Sequence, residues 1–341
     1  MDPAKILVVR LGAMGDIVHA LPAVATLKRS FPHAHLTWAV EPQWGALLRG
    51  NPHVDRLLWL DLPGWRRRWW RLETCRKILA ACGDLRAARF DLAIDFQGLL
   101  KSALVAAAAL PERIAGFHRS LLREKAAGLF YSHHSRASSL HVVERNLDLA
   151  AEAGAARRCV EFPLPDYPPE GDLPASDFVL ASPVAGWKAK QWPPAYYAQL
   201  TRLLGERLGW PLVINFAPGE RSDAEPILRE APEKFCRLHL SSVEGLIAAT
   251  RRARAVVGID SGPLHLAAAM GKPGVALFGP TDPARNGPYG ETFLTLRSPG
   301  AITSYKRSSA ISASMRALGP DQVFQALQRQ IERCSVAAPL P

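Results

Sequence analysis

The chain has 341 residues, 48% of them apolar and 21% charged, with a net charge of +11 at pH 7. That length is comfortable for two domains, and the apolar share gives each one a core. A membrane-spanning helix needs roughly 20 apolar residues; the best run, Ala103 to Leu110, is far too short, which excludes a helical membrane span.

The charge is uneven. Residues 1–162 carry 23 Lys/Arg against 15 Asp/Glu, and residues 163–341 carry 19 against 16. A basic amino-terminal half suits an acidic partner: nucleic acid, a phospholipid surface or a phosphorylated glycolipid. Charge alone does not choose among these, or exclude a merely solvated surface. The five cysteines (Cys75, Cys82, Cys159, Cys236, Cys334) form no Cys-x-x-Cys pair. Neither a disulfide framework nor a zinc site is expected. Residues 1–10 lack a signal-peptide layout and read directly as a strand, so a cytoplasmic location is expected.

In chain order, Lys5 to Arg10 predicts a strand, Leu11 to Asp16 a Gly-containing turn, and Ile17 to Phe31 a helix. His35 to Val40 and Val54 to Leu60 predict further strands. Strands alternating with helices imply a parallel, doubly wound sheet. Leu11-Gly12-Ala13-Met14-Gly15-Asp16 is not the dinucleotide Gly-x-Gly-x-x-Gly pattern, and no phosphate-loop Lys-Ser/Thr follows. A dehydrogenase or P-loop ATPase is disfavoured. Pro63 to Lys77 interleaves arginines with Trp65, Trp69 and Trp70. That pattern suits a membrane interface, single-stranded nucleic acid, or a partly buried amphipathic helix.

Phe90 to Asp95 predicts a buried strand, with Gln97 and Lys101 emerging at its carboxyl end, where open α/β sheets place ligands. Ile114 to Phe117 is a further strand, followed by the basic stretch that holds Arg119 and Arg123. Residues 141–152 predict an amphipathic helix. Phe162 to Asp177 holds five prolines and is the linker candidate.

A second strand–helix series opens at Phe178 to Ala181. A loop with Lys190 follows, then a helix over Pro194 to Leu208, a strand over Leu212 to Phe216 with Glu220 just beyond it, and a helix over Val243 to Arg252. The densest polar chemistry comes next. Arg254 to Ile259 predicts a strand, Asp260-Ser261-Gly262 a turn, Pro263 the first turn of a helix, and Leu264 to Met270 the helix itself, ending at Gly271. A strand, a Gly turn and a helix start together present free backbone N–H groups and a positive dipole to one spot, which makes an anion site. His265 lies one helical turn after Ser261 and can face the same spot. An ordinary capped helix with a buried histidine is the plain alternative. A strand over Val275 to Phe278 follows, and Asp321 to Cys334 predicts a final amphipathic helix with a frayed tail. The polar stretch Arg297 to Arg316 gives no clear prediction.

Asp-Ser-Gly-Pro-Leu-His-Leu-Ala-Ala-Ala (260–269) with Phe-Gly-Pro-Thr-Asp-Pro (278–283) closely resembles the lipopolysaccharide heptosyltransferases, two-domain glycosyltransferases of the GT-B group. Leu11 to Ala23, Asp95 to Ala103 and Gly116 to Glu124 resemble further segments of that family. The basic Trp-rich stretch favours the branch that adds the first heptose. The resemblance implies two doubly wound Rossmann-like α/β domains facing a cleft. Residues 1–165 would bind the acceptor and 176–320 the nucleotide sugar, with a helix and tail (321–341) placed to pack back on the amino-terminal domain.

The resemblance further implies transfer of heptose from ADP-heptose to a Kdo residue of Kdo-lipid A, with inversion and with neither a metal nor a cofactor. Such a displacement needs a base on the acceptor hydroxyl and positive charge or N–H donors on the departing diphosphate. Asp16 is the implied base, although a helix N-cap is its plain reading. Lys190 is the implied diphosphate cation, although most loop lysines are merely solvated. Gly15, Glu220, Asp260, Ser261, Gly262 and His265 are the implied donor-binding residues. Gln97, Lys101, Arg119 and Arg123 are the candidates for the acceptor. The expected partners are the two substrates and the cytoplasmic face of the inner membrane, with no nucleic acid. A later-acting heptosyltransferase, or a transferase using another nucleotide sugar, is the nearer alternative. A non-catalytic nucleotide- or nucleic-acid-binding protein is the alternative of a different class.

Overall fold

The computed structural model describes residues 2–306 and 308–337; residues 338–341, part of the tail expected to fray, lie outside them. The chain divides into two compact units, Met1–Pro165 and Asp166–Pro341, and the boundary falls inside the Pro-rich stretch.

The first unit is built on β1 (Lys5–Val9), β2 (His35–Val40), β3 (Arg56–Trp59), β4 (Leu92–Asp95), β5 (Arg113–Phe117) and β6 (His133–Ser135). The order is β3-β2-β1-β4-β5-β6, and every pair is parallel. Its helices are α1 (Met14–Ser30), α2 (Leu62–Arg67), α3 (Leu72–Ala88), α4 (Leu100–Ala108) and α5 (Val142–Glu152). Ile6 to Val9 are wholly buried, as a strand covered on both faces must be. The chain runs outward from β1 to β3, then returns to start β4 beside β1. The carboxyl ends of β1 and β4 therefore flank a crevice where no helix crosses over, the place where open α/β sheets bind ligands.

The second unit repeats the plan. Its strands are β7 (Val179–Ser182), β8 (Leu212–Phe216), β9 (Cys236–Leu240), β10 (Ala255–Ile259), β11 (Gly274–Phe278) and β12 (Phe293–Arg297). The order is β12-β11-β10-β7-β8-β9, all parallel, so the corresponding crevice lies between β7 and β10. The helices are α6 (Pro194–Leu208), α7 (Arg221–Glu230), α8 (Val243–Arg252), α9 (Gly262–Ala269), α10 (Pro283–Asn286), α11 (Ala313–Arg316) and α12 (Pro320–Ala337).

The final helix, expected to pack back on the amino-terminal domain, supplies part of the second unit's own core. Val323, Phe324 and Leu327 of α12 join the second unit's own core with Trp192, Tyr197 and Leu277. Trp192 Nε1 donates to Leu318 O at 2.8 Å just before α12 begins. The apolar stripe of α12 is thus used up locally, and the helix runs beyond Cys334 to Ala337. Among the described residues no helix is long and apolar enough to cross a membrane.

Two helical glycines test this packing with opposite signs. A Cβ on Gly205 in α6 would lie 2.2 Å from the Phe235 ring, whereas one on Gly83 in α3 meets nothing within 4 Å. Gly205→Ala is expected to destabilise by roughly 1–3 kcal/mol through overpacking. Gly83→Ala is expected to stabilise by about 0.5–1 kcal/mol through lost unfolded-state entropy and better helix propensity. Thermal melts of the two variants check both signs; a gain in both would contradict the packing of α6.

Candidate active site

At the crevice of the second sheet, Asp260 follows β10 and is buried. Its Oδ2 lies 2.6 Å from Lys190 Nζ and accepts a 2.7 Å hydrogen bond from Thr281 Oγ1. Its Oδ1 lies 3.6 Å from His265 Nε2, a close electrostatic contact rather than a hydrogen bond. Burial alone would raise the Asp260 carboxyl. The neighbouring His265 imidazole and the Lys190 ammonium outweigh that cost and hold it well below the usual carboxylate range. Lys190, itself mostly buried, ends a short 3₁₀ turn (Lys188–Lys190), with its Nζ 4.7 Å from the centre of the Trp187 ring.

These contacts fix the turn that starts α9. Ser261 is the N-cap residue, yet its side chain makes no capping hydrogen bond. Its Oγ is buried and has no partner among the described residues, and the same holds for Ser182 Oγ at the end of β7. A buried hydroxyl without a partner is uncommon and costly. Ser182 is in register with Gly258 of β10, so both hydroxyls lie at the carboxyl ends of adjacent strands. Hydroxyls, a lysine and the amides of a helix start together form a donor-rich site for an anion.

At the crevice of the first sheet, α1 begins at Met14, earlier than expected, so Asp16 is its third residue and not its N-cap. Its carboxylate accepts from the Ala13 N–H at 3.4 Å and pairs with Arg10 Nη2 at 2.7 Å. Arg10 is buried, and its Nη1 donates to Phe96 O at 2.5 Å. The guanidinium is thereby fixed by backbone, and it aims a half-exposed carboxylate. Below it, Asp95 is fully buried and accepts from Tyr131 Oη (2.7 Å), Ser102 Oγ (2.8 Å), Gln97 N (2.8 Å) and Gly98 N (3.1 Å). Burial pushes the Asp95 carboxyl up, against the pull of those donors. Gly98 takes φ +67°, which only glycine adopts freely, and so lets the chain turn over this carboxylate.

The structure gathers some of the anticipated residues and separates others. Lys190, Asp260 and His265 meet, with Ser261 and Gly262 opening α9 beside them. Glu220 lies across β7, after β8, where it accepts from Ala217 N at 3.1 Å within its own loop. Gly15 is buried in the first turn of α1. Gln97 Oε1 accepts from Leu11 N at 2.9 Å, tying β4's end to the Asp16 loop. Lys101 pairs with the buried Glu41 at 3.2 Å. Arg119 and Arg123 are exposed after β5, two strands from β1. Arg119 lines a cavity of about 380 Å³ with His118, Lys125 and His134. Arg10, Ser182 and Thr281 were not anticipated: Arg10 meets Asp16 across the β1–α1 loop, strand pairing brings Ser182 level with Gly258 of β10, and Thr281 bonds Asp260 from the loop after β11. Among the described residues no cluster of three His, Cys, Asp or Glu is placed to hold a metal ion.

Two doubly wound sheets, each with polar side chains at its switch point, define a two-unit α/β protein with the layout of a ligand-binding fold. Residues 78–310 match Glycosyltransferase family 9 (heptosyltransferase). The chain is 31% identical over 304 residues to lipopolysaccharide heptosyltransferase 1 of Pseudomonas aeruginosa, covering 86% of this chain and 84% of that protein. It is similar to the solved structure of the E. coli heptosyltransferase WaaC with ADP (TM-score 0.80, 25% identity, 96% of this chain and 99% of that one). The same holds for that enzyme with ADP-2-deoxy-2-fluoro heptose (TM-score 0.76, 26% identity, 95% and 99%). The chain belongs to glycosyltransferase family 9, the heptosyltransferases.

The depressed Asp260 carboxyl sets a pH dependence. Its unfolded value is about 3.9, and its folded value lies lower. The stabilisation is therefore fully present above that pH and is lost as pH falls through the folded pKa. Asp260→Asn is expected to cost about 3–5 kcal/mol near neutral pH, as for a broken buried pair. In urea melts its gap to the unaltered protein should narrow below about pH 4. A gap constant down to about pH 3 would mean that the charge contributes nothing.

Proposed function

We propose that the chain transfers a heptose from ADP-heptose to a Kdo residue of Kdo-lipid A, in the assembly of the lipopolysaccharide inner core. The observation that carries the donor half is the buried, unpartnered Ser261 hydroxyl at the uncapped start of α9, beside Lys190. That group of donors suits a diphosphate, and the similar E. coli enzyme has been solved with ADP and with an ADP-heptose analogue. Lys190, Ser261 and the amides of Gly262 and its neighbours would neutralise the diphosphate as it departs, with no metal ion required. Asp260 would hold that turn and orient Lys190.

Asp16 would act as the base. Its carboxylate takes the proton from the acceptor hydroxyl, and the oxygen attacks the anomeric carbon from the face opposite the diphosphate. The bond to the diphosphate breaks as the new bond forms, ADP leaves, and the anomeric centre inverts. Arg10 keeps the carboxylate aimed. The first unit would hold the acceptor through Gln97, Lys101, Arg119 and Arg123. The exposed Trp69 and Trp70 in the basic Arg68–Arg71 connection suit contact with the cytoplasmic face of a membrane.

Asp16→Asn keeps the shape of the side chain and removes the base. Turnover of ADP-heptose is expected to fall by a factor of about 10²–10⁴, the usual weight of a general base. ADP affinity, measured by calorimetry, should stay within about twofold, because Asp16 and Lys190 belong to different sheets. An equal loss in both would make Asp16 a structural residue.

A further inference from the structure

The first unit contains a larger cavity, which the steps above reach only at Lys101 and Trp69. It occupies about 720 Å³ between α2, α3 and α4. Its walls are apolar, with Leu60, Trp65, Ile78, Leu85, Leu104 and Val105 prominent. Ligand sites are concave and mostly apolar, and this concavity, open to solvent beside the exposed Trp69, suits an apolar guest. This one falls in the range of ligand sites, roughly 300–1,000 Å³.

The helix that roofs the cavity is poorly buried. Of the 17 residues of α3 only Thr74 and Leu85 are buried, while Leu72 and Leu79 are 67% and 71% exposed. Two cations, Arg66 and Lys101, line the cavity, and Arg67, Arg68 and Arg71 follow Arg66 in sequence. Lys101 also connects the cavity to the candidate base. It pairs with Glu41, whose backbone N–H donates to Leu11 O at 3.0 Å, at the head of the loop that leads to Asp16.

We propose that this cavity binds an acyl chain of the phosphorylated lipid acceptor. Arg66 and Lys101 then lie beside its phosphate groups while its sugar end reaches Asp16. The inference rests on the acceptor class proposed above. A bilayer phospholipid also offers an acyl chain and an anionic head. Such a lipid gives no reason for Lys101, on the cavity wall, to be tied through Glu41 to the head of the Asp16 loop, and that link favours the acceptor.

Filling the cavity tests this. Ala81 lines it from α3 and touches no group assigned to catalysis. For Ala81→Phe the KM for the fully acylated acceptor is expected to rise about tenfold, the effect of a few lost methylene contacts. The KM for the same acceptor stripped of its chains, kcat and ADP affinity should not change. A parallel shift for both acceptors, or for neither, overturns the proposal.

A second readout does not depend on that variant folding. An acceptor carrying brominated chains should quench the fluorescence of the unaltered protein, and Trp65→Phe/Trp69→Phe should abolish the quenching. Vesicles of chain-brominated phosphatidylglycerol at equal chain concentration should quench far less. Equal quenching by the vesicles, or none by the acceptor, overturns the assignment. Quenching without heptose transfer would sink the transferase reading and support the lipid site. Transfer without quenching would sink the lipid site alone.

Discussion

A buried carboxylate must be paired, and much of the second unit's site follows from how Asp260 meets that demand. Its partners come from three separate strand ends: Lys190 after β7, His265 in the helix after β10, and Thr281 after β11. Satisfying one charge therefore locks three loops at the switch point. The lock keeps Asp260 occupied with its neighbours and leaves the Ser261 hydroxyl, next along the chain, without a partner. Asp260 thus holds the turn that opens α9, and as a carboxylate it is not itself a group that an anion could contact favourably.

The first sheet solves a related problem differently. Asp95 satisfies its burial through two side-chain hydroxyls and two backbone amides, which shapes the Gln97–Gly98 turn. The buried cation is Arg10, which faces outward to Asp16. The two crevices share a strand order and differ in the sign of what they offer. One presents an aimed carboxylate, suited to taking a proton. The other presents donors and a lysine, suited to accepting a departing negative charge. The apolar cavity beneath α3 adds a third surface on the carboxylate's side.

The central strands were legible because each is a short apolar run, covered on both faces. The three unanticipated strands are edges: His133–Ser135, Cys236–Leu240 and Phe293–Arg297. An edge strand is half solvated and carries polar residues, so its pattern fades into that of a loop. The helix after Glu220 was missed too, with Pro226 inside it. The turn at 260–265 could be read from spacing alone, because a strand, Gly and helix start announce themselves locally. Arg10, Ser182 and Thr281 could not. Each is ordinary in its own segment and gains its role from a neighbour 6 to 78 positions away in sequence. Lys101 was legible as a basic residue near the site, but its pairing with Glu41 depends on strand order.

In the proposed mechanism Asp260 serves the diphosphate by holding Lys190 and the α9 turn in place. A titration of ADP into Asp260→Asn tests it most directly. Weaker binding is expected, by about tenfold or more, even though the substitution removes a negative charge from the neighbourhood of an anion. Unchanged or tighter ADP binding would mean that the carboxylate merely repels the nucleotide and holds nothing in place for it.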